Sequence, residues 1–371
     1  MPNGQLTVIV SAGQSRNPDK RELEQAIAEG AGALAGVQVL CIPHLYDLSK
    51  DGETYLALRQ LDGDLVLLTW LFTRAAHWIL DRNGVRGQFG AVELVQEMED
   101  DEQEDQLELN DERVTLAQPR PERTIFTLDF RASTETQAFV AEIQRIAILC
   151  KATAAARNPA TPLTLEMLGH FEVPTNDTFL GARASSNGNN TSVGESPTAA
   201  PATATLFGTS SVATIEEHPA RRWYPVIDFS RCTNCMECID FCLFGVYGID
   251  TLETIVVEQA DNCRKGCPAC SRVCPQNAII FPQHKTPAIA GAPVDVGGLK
   301  IDLSKLFGAP DDGEDAAAAA VRERDEQLLL AGRNAVGTST GISERLLKPS
   351  GGSREADQLD ALVDQLDALD L

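Results

Sequence analysis

The chain has 371 residues with 54 acidic and 31 basic side chains, a formal charge of −23. So acidic a balance argues against a nucleic-acid partner, and no apolar run approaches the length of a membrane span. With no basic start leading into an apolar, cleavable stretch, the expected compartment is the cytoplasm.

Four short β-rich runs come first, Leu6 to Val10, Val37 to Ile42, Asp64 to Trp70 and Arg123 to Leu128. Glu22 to Leu34, Arg74 to Leu80 and Glu135 to Ala156 carry apolar residues at helical spacing. This alternation predicts an α/β open-sheet domain over residues 1–180, mainly parallel, with strands buried on both faces. Residues 93–112 hold no lysine or arginine and read as a solvated acidic insertion.

Ligands of such sheets bind beyond the strand carboxyl ends, which directs attention to the first turn, SAGQSRNPDK. Ser11, Gly13, Ser15 and Arg16, ahead of a helix N-terminus near Pro18, form a candidate phosphate or flavin site. A tight connection with a capped helix accounts for the same residues. The turn is similar in part to the phosphate loop of flavodoxins and to the first loop of sirohydrochlorin-type chelatases. Ala12 and Gly13 stand where the chelatases have a metal-binding histidine. His44 and His77 are read as rim or core residues, and Arg74 as a candidate anion contact.

Between residues 181 and 217 the composition shifts to Ser, Thr, Asn, Ala and Pro, which is linker chemistry. A flexible coil of this length spans roughly 30 Å. It would let whatever follows swing while staying tethered.

Eight of the ten cysteines follow in two runs: Cys232, Cys235, Cys238, Cys242 and Cys263, Cys267, Cys270, Cys274. Zinc sites usually pair two C-x2-C units across a longer loop, whereas three short spacings and a fourth cysteine suit an iron–sulfur cluster. Disulfides require an oxidising compartment. Cys41 and Cys150 lie in apolar runs and are assigned no role.

The two runs resemble the bacterial two-[4Fe–4S] ferredoxin motif over residues 218–292. The resemblance implies a small α+β domain, low-potential one-electron transfer and crossed ligation. Cys232, Cys235, Cys238 and Cys274 would serve one cluster, and Cys263, Cys267, Cys270 and Cys242 the other. Two departures stand out. Leu243 replaces the proline that follows the fourth cysteine, and Arg264, Lys265 and Gly266 make a three-residue spacer after Cys263. Gly266 can take positive φ and absorb the extra residue; otherwise Cys263 drops out and a three-iron cluster results. Formal charge over Arg221 to Lys285 is balanced, and Arg231, Arg264, Lys265 and Arg272 near the ligands are expected to raise the potentials.

Residues 293–371 read as an acidic tail, with helix-forming composition from Ala316 to Gly332 and an amphipathic helix over 353–371. Two functions remain open. One is an electron carrier or electron-transfer subunit with redox protein partners, one of them offering a basic docking surface. The other is an oxidoreductase whose sheet binds a flavin or a phosphate-bearing substrate and receives electrons from the clusters. Oligomeric state is not legible.

Overall fold

The computed structural model describes residues 5–95, 113–118, 120–157, 207, 210–292 and 316–342. Most of the acidic insertion and the helix expected over 353–371 lie outside these residues.

Six parallel strands form one sheet: β1 (Leu6–Ser11), β2 (Val37–Ile42), β3 (Leu65–Thr69), β4 (Gln88–Phe89), β5 (Thr124–Asp129) and β6 (Val212–Thr214). Their spatial order is β4-β5-β3-β1-β2-β6. This is the expected parallel open sheet. Four strands were legible as short β-rich, apolar runs, whereas β4 and β6 are too short to show periodicity.

Helices α1 (Pro18–Gly32) and α5 (Thr136–Arg157) cover one face, where Leu6, Val8, Val10, Val66 and Leu68 meet Ile27, Ala31, Phe139 and Ile143. Asn17 starts α1 by accepting from the Asp19 amide at 2.9 Å, with Pro18 in the first turn. The opposite face carries α2 (Glu53–Arg59) and α3 (Thr73–Arg82). Because alternate residues of each strand enter different cores, the strands are apolar throughout.

The core on the α3 face extends beyond the sheet domain. Ile9, Leu67, Ala75, Trp78 and Ile79 share one apolar cluster with Tyr224, Val226 and Ile280 of the cysteine segment. Polar pairs lock the same junction. Tyr46 and Tyr224 stack with centroids 4.2 Å apart, the Tyr224 hydroxyl donates to the Tyr46 carbonyl at 3.0 Å, and the Tyr46 hydroxyl donates to the Tyr224 carbonyl at 2.5 Å. Asp47 accepts from the Arg222 amide at 3.1 Å and from Gln283 at 3.0 Å. Burial alone would raise the Asp47 carboxyl, but His44, the Arg222 amide and Gln14 outweigh it and hold it below its ordinary range.

The expected linker over 181–217 is therefore not a linker at its far end. Val212–Thr214 is the sixth strand, pairing Val39 with Val212, and Glu217 accepts from the Thr54 hydroxyl at 2.7 Å. Most of residues 181–209 lie outside the described residues; the cysteine segment itself is seated on the loops that follow β2 and β3.

Cysteine-segment elements are small: β7 (Val226–Ile227) with β10 (Ile279–Ile280), β8 (Tyr247–Ile249) with β9 (Ile255–Val257), and helices α6 (Glu237–Phe241), α7 (Ala269–Val273) and α8 (Pro287–Ala290). A further helix, α9 (Ala316–Leu330), packs along α7, and the one-turn helix α4 (Val114–Ala117) precedes β5. Among the described residues, no helix is long and apolar enough to cross a membrane.

Arg74, read from sequence as an anion contact, meets the anion of its own chain: its Nε donates to the fully buried Asp228 at 2.5 Å. A second guanidinium nitrogen donates to the Asn277 carbonyl. Removing one partner of a buried ion pair strands the other charge, so Arg74→Ala is expected to cost about 3–5 kcal/mol. Denaturant unfolding of the full chain, followed by tryptophan fluorescence, measures this.

Candidate metal centre

Each cysteine run is built the same way, from a turn that carries the first cysteines and a five-residue helix that ends on the last. In the first run, the turn after β7 is closed by Asp228, whose carbonyl accepts from the Cys232 amide at 2.9 Å. Asn234 and Met236 then adopt left-handed backbone, φ 59° and 63°. Such conformations are costly for side-chain-bearing residues and persist only where the surroundings fix them. Asn234 is fixed from both ends, accepting from the Ile255 amide at 2.9 Å and donating to the Glu253 carbonyl at 2.8 Å. Helix α6 carries Cys238 in its first turn, and Cys242 caps its carboxyl end.

The second run repeats the plan. Gly266 has φ 86°, and the Cys267 amide donates to the Arg264 carbonyl at 3.0 Å, so the lengthened spacer closes as a turn. Cys270 opens α7 and Cys274 caps it.

The eight cysteines divide between two cavities. Cys232, Cys235, Cys238 and Cys274 line one, with Ile227, Ile255 and Ile279. Cys242, Cys263, Cys267 and Cys270 line the other, with Phe241, Phe244, Val246 and Arg324. Each helix thus presents its early cysteine to one cavity and its capping cysteine to the other. Cys263 lines the same cavity as Cys267 and Cys270. Among the described residues no three His, Cys, Asp or Glu side chains converge on a single-ion site.

Burial dominates the chemistry of these thiols. It pushes Cys232 and Cys267 up to about 11 and raises Cys238, Cys242, Cys263, Cys270 and Cys274 as well. Hydrogen bonds to sulfur work in the other direction. The Asn234 amide donates to Cys232 Sγ at 3.4 Å, the Ala278 amide to Cys274 Sγ at 3.3 Å and the Tyr247 hydroxyl to Cys270 Sγ at 3.0 Å. Aromatic rings pack around this region: Phe281 stacks on Trp223 at 5.2 Å and Phe229 meets the Trp78 edge at 5.7 Å.

The turn Ser11 to Arg16 is occupied by its own chain. Ser11 is fully buried, and its hydroxyl accepts from the Leu45 amide at 3.0 Å. The Gly13 amide, which a phosphate would need, donates to buried Glu24 at 2.8 Å. Trp70 donates to the same carboxylate at 2.7 Å, which fills the crevice between β1 and β3. Ser15 accepts from the Asn17 amide at 3.2 Å and Arg16 is exposed. The arrangement is the capped connection, and it lends flavin or phosphate binding no support. His44 lies against Asp47 at 3.3 Å. His77 stacks on Phe89 at 3.6 Å, and burial together with Arg120 pushes it down to about 3, keeping it neutral.

Sequence reasoning missed Arg324. Nothing in a helix of alanines and charges marks one arginine as buried at a cysteine cavity.

A search among curated proteins finds an uncharacterised ferredoxin of Methanocaldococcus jannaschii, 46% identical over 77 residues. The match covers 19% of this chain and 52% of that protein, so the chain spans about half the length of the curated relative it matches. The cysteine-bearing region is ferredoxin-like. No family model matches the chain, and no solved structure matches it.

Metal or cluster binding to buried, neutral thiols must displace their protons, so occupancy is coupled to pH. The raised thiol values set the sign: protons compete more strongly as pH falls. Iron retained by the ferredoxin-like domain against a fixed chelator concentration is expected to increase from about pH 6 to about pH 8.

Proposed function

We propose that the protein is an iron–sulfur electron carrier or electron-transfer subunit holding two [4Fe–4S] clusters. The observation that carries this reading is the division of eight cysteines, four and four, between two cavities. Cys232, Cys235, Cys238 and Cys274 hold one cluster, and Cys242, Cys263, Cys267 and Cys270 the other. Bound there, each cluster supplies a one-electron couple. A donor set of four thiolates around an open volume suits a polynuclear core better than one zinc ion, which needs its ligands drawn to a single point.

The protein's own residues give the couple its setting. Ile227, Ile255, Ile279, Phe241 and Val246 exclude water, and the N–H and O–H groups on Cys232, Cys274 and Cys270 stabilise negative charge on sulfur as it builds during reduction. The α/β domain acts as a platform that fixes the head in orientation. The overall charge of −23 favours a redox partner with a basic docking face.

The test is anaerobic purification, followed by iron and sulfide quantitation and electron paramagnetic resonance. Wild type is expected to carry about eight iron per chain. Crossed ligation makes a sharper demand. Cys274→Ala should perturb the same cluster signal as Cys235→Ala, and Cys242→Ala the same signal as Cys267→Ala. Pairing by sequence run instead would overturn the assignment, and iron-free wild type after reconstitution would overturn the function.

A further inference from the structure

The segment after residue 315 was expected to be a tail. Over 316–342 it is instead a strap across the second cavity. Ala317, Ala320, Val321, Arg324 and Leu328 recur at helical spacing and form the buried stripe of α9, so an arginine occupies the middle of an apolar face. Arg324 is 1% exposed. Its guanidinium lies 4.6 Å from the centre of the Phe241 ring and lines the cavity of Cys242, Cys263, Cys267 and Cys270.

Its hydrogen bonds hold it there. It donates to the Thr340 and Gly337 carbonyls, both at 2.6 Å, and its Nε to Asp325 at 3.2 Å. The strap is closed by Gly341, where φ is 71° and an added Cβ would lie 2.6 Å from the Asp240 carbonyl oxygen, two residues before Cys242. Arg333 donates to the carbonyl of Leu243, the residue standing in place of the usual proline, at 2.8 Å.

Two neutral carbonyls and one carboxylate do not make an apolar stripe a favourable place for a cation. An anion in the cavity does. Four thiolates around an oxidised four-iron core make a dianion, and one added electron makes a trianion, so a nearby buried cation stabilises the reduced form more than the oxidised form. Arg272, one of the four cations singled out in the sequence for this role, is held by Glu323 of α9 through two hydrogen bonds of 2.9 Å and is 28% exposed against 1% for Arg324, so solvent screens its field more.

We propose that Arg324 is a positioning residue that sets the potential of the second cluster, delivered by the C-terminal strap. The proposal rests on the two-cluster reading. Its half-reaction adds one electron to the cluster, supplied in the test by an electrode, with no bond made or broken in the protein.

Film voltammetry of the full-length loaded protein tests it, the second couple being the one lost in Cys267→Ser. Arg324→Gln is expected to lower that couple by about 59 mV, a tenfold change in its one-electron equilibrium, while the first stays in place. Arg324→Lys keeps most of the wild-type value. Asp325→Asn removes the counter-charge and moves the second couple upward. Equal shifts of both couples, or a second couple unmoved in Arg324→Gln, overturn the proposal. If Arg324→Gln fails to retain its second cluster, Asp325→Asn decides alone: a rise supports the proposal, and no change or a fall overturns it. Wild type that carries no iron overturns the two-cluster reading, and this proposal with it.

Discussion

Seven of the eight cysteines that line the two cavities have thiols whose ionisation is opposed by burial. A cysteine buried singly is a small hydrophobe, but four facing one small volume are a liability unless something binds there. The local backbone follows from this constraint. Left-handed Asn234 and Met236, Gly266 at positive φ and two five-residue helices turn the chain sharply enough to bring four sulfurs to each cavity. Helices this short have no independent stability, so they depend on the packing around them.

The α/β domain supplies part of that packing. In parallel open sheets the loops beyond the strand carboxyl ends are where ligands bind. Here Tyr46, Asp47 and Arg74, from the loops after β2 and β3 and the start of α3, engage the ferredoxin-like domain, while Glu24 and Trp70 close the crevice beside β1. The sheet's usual binding edge is spent on an internal partner.

Charge compensation around the proposed clusters also differs from what residue counts suggest. The head is formally balanced, yet its cations are unequal in effect. Arg264 and Lys265 are exposed and screened by solvent, and Arg272 is paired with Glu323. Arg324 lies outside the ferredoxin-like domain in sequence but against its second cavity in space, where low polarity strengthens its field.

The sequence by itself determined the parts governed by local pattern. Short β-rich, apolar runs marked β1, β2, β3 and β5 as strands buried on both faces. Cysteine spacing marked the ferredoxin-like region, because a short chain between thiols limits what they can bind together. The hinge at Gly266 was also legible, since glycine there relieves the one irregular spacing. Tertiary structure decided what depends on contacts distant in sequence. It made a strand of Val212–Thr214 inside apparent linker composition, turned Arg74 toward Asp228 more than 150 residues away, and gave the Gly13 amide to Glu24 rather than to a phosphate. It also buried Arg324 beside the second group of cysteines. Three-residue strands and single buried charges leave no periodic trace in sequence; they are stabilised by partners that only the folded chain brings near.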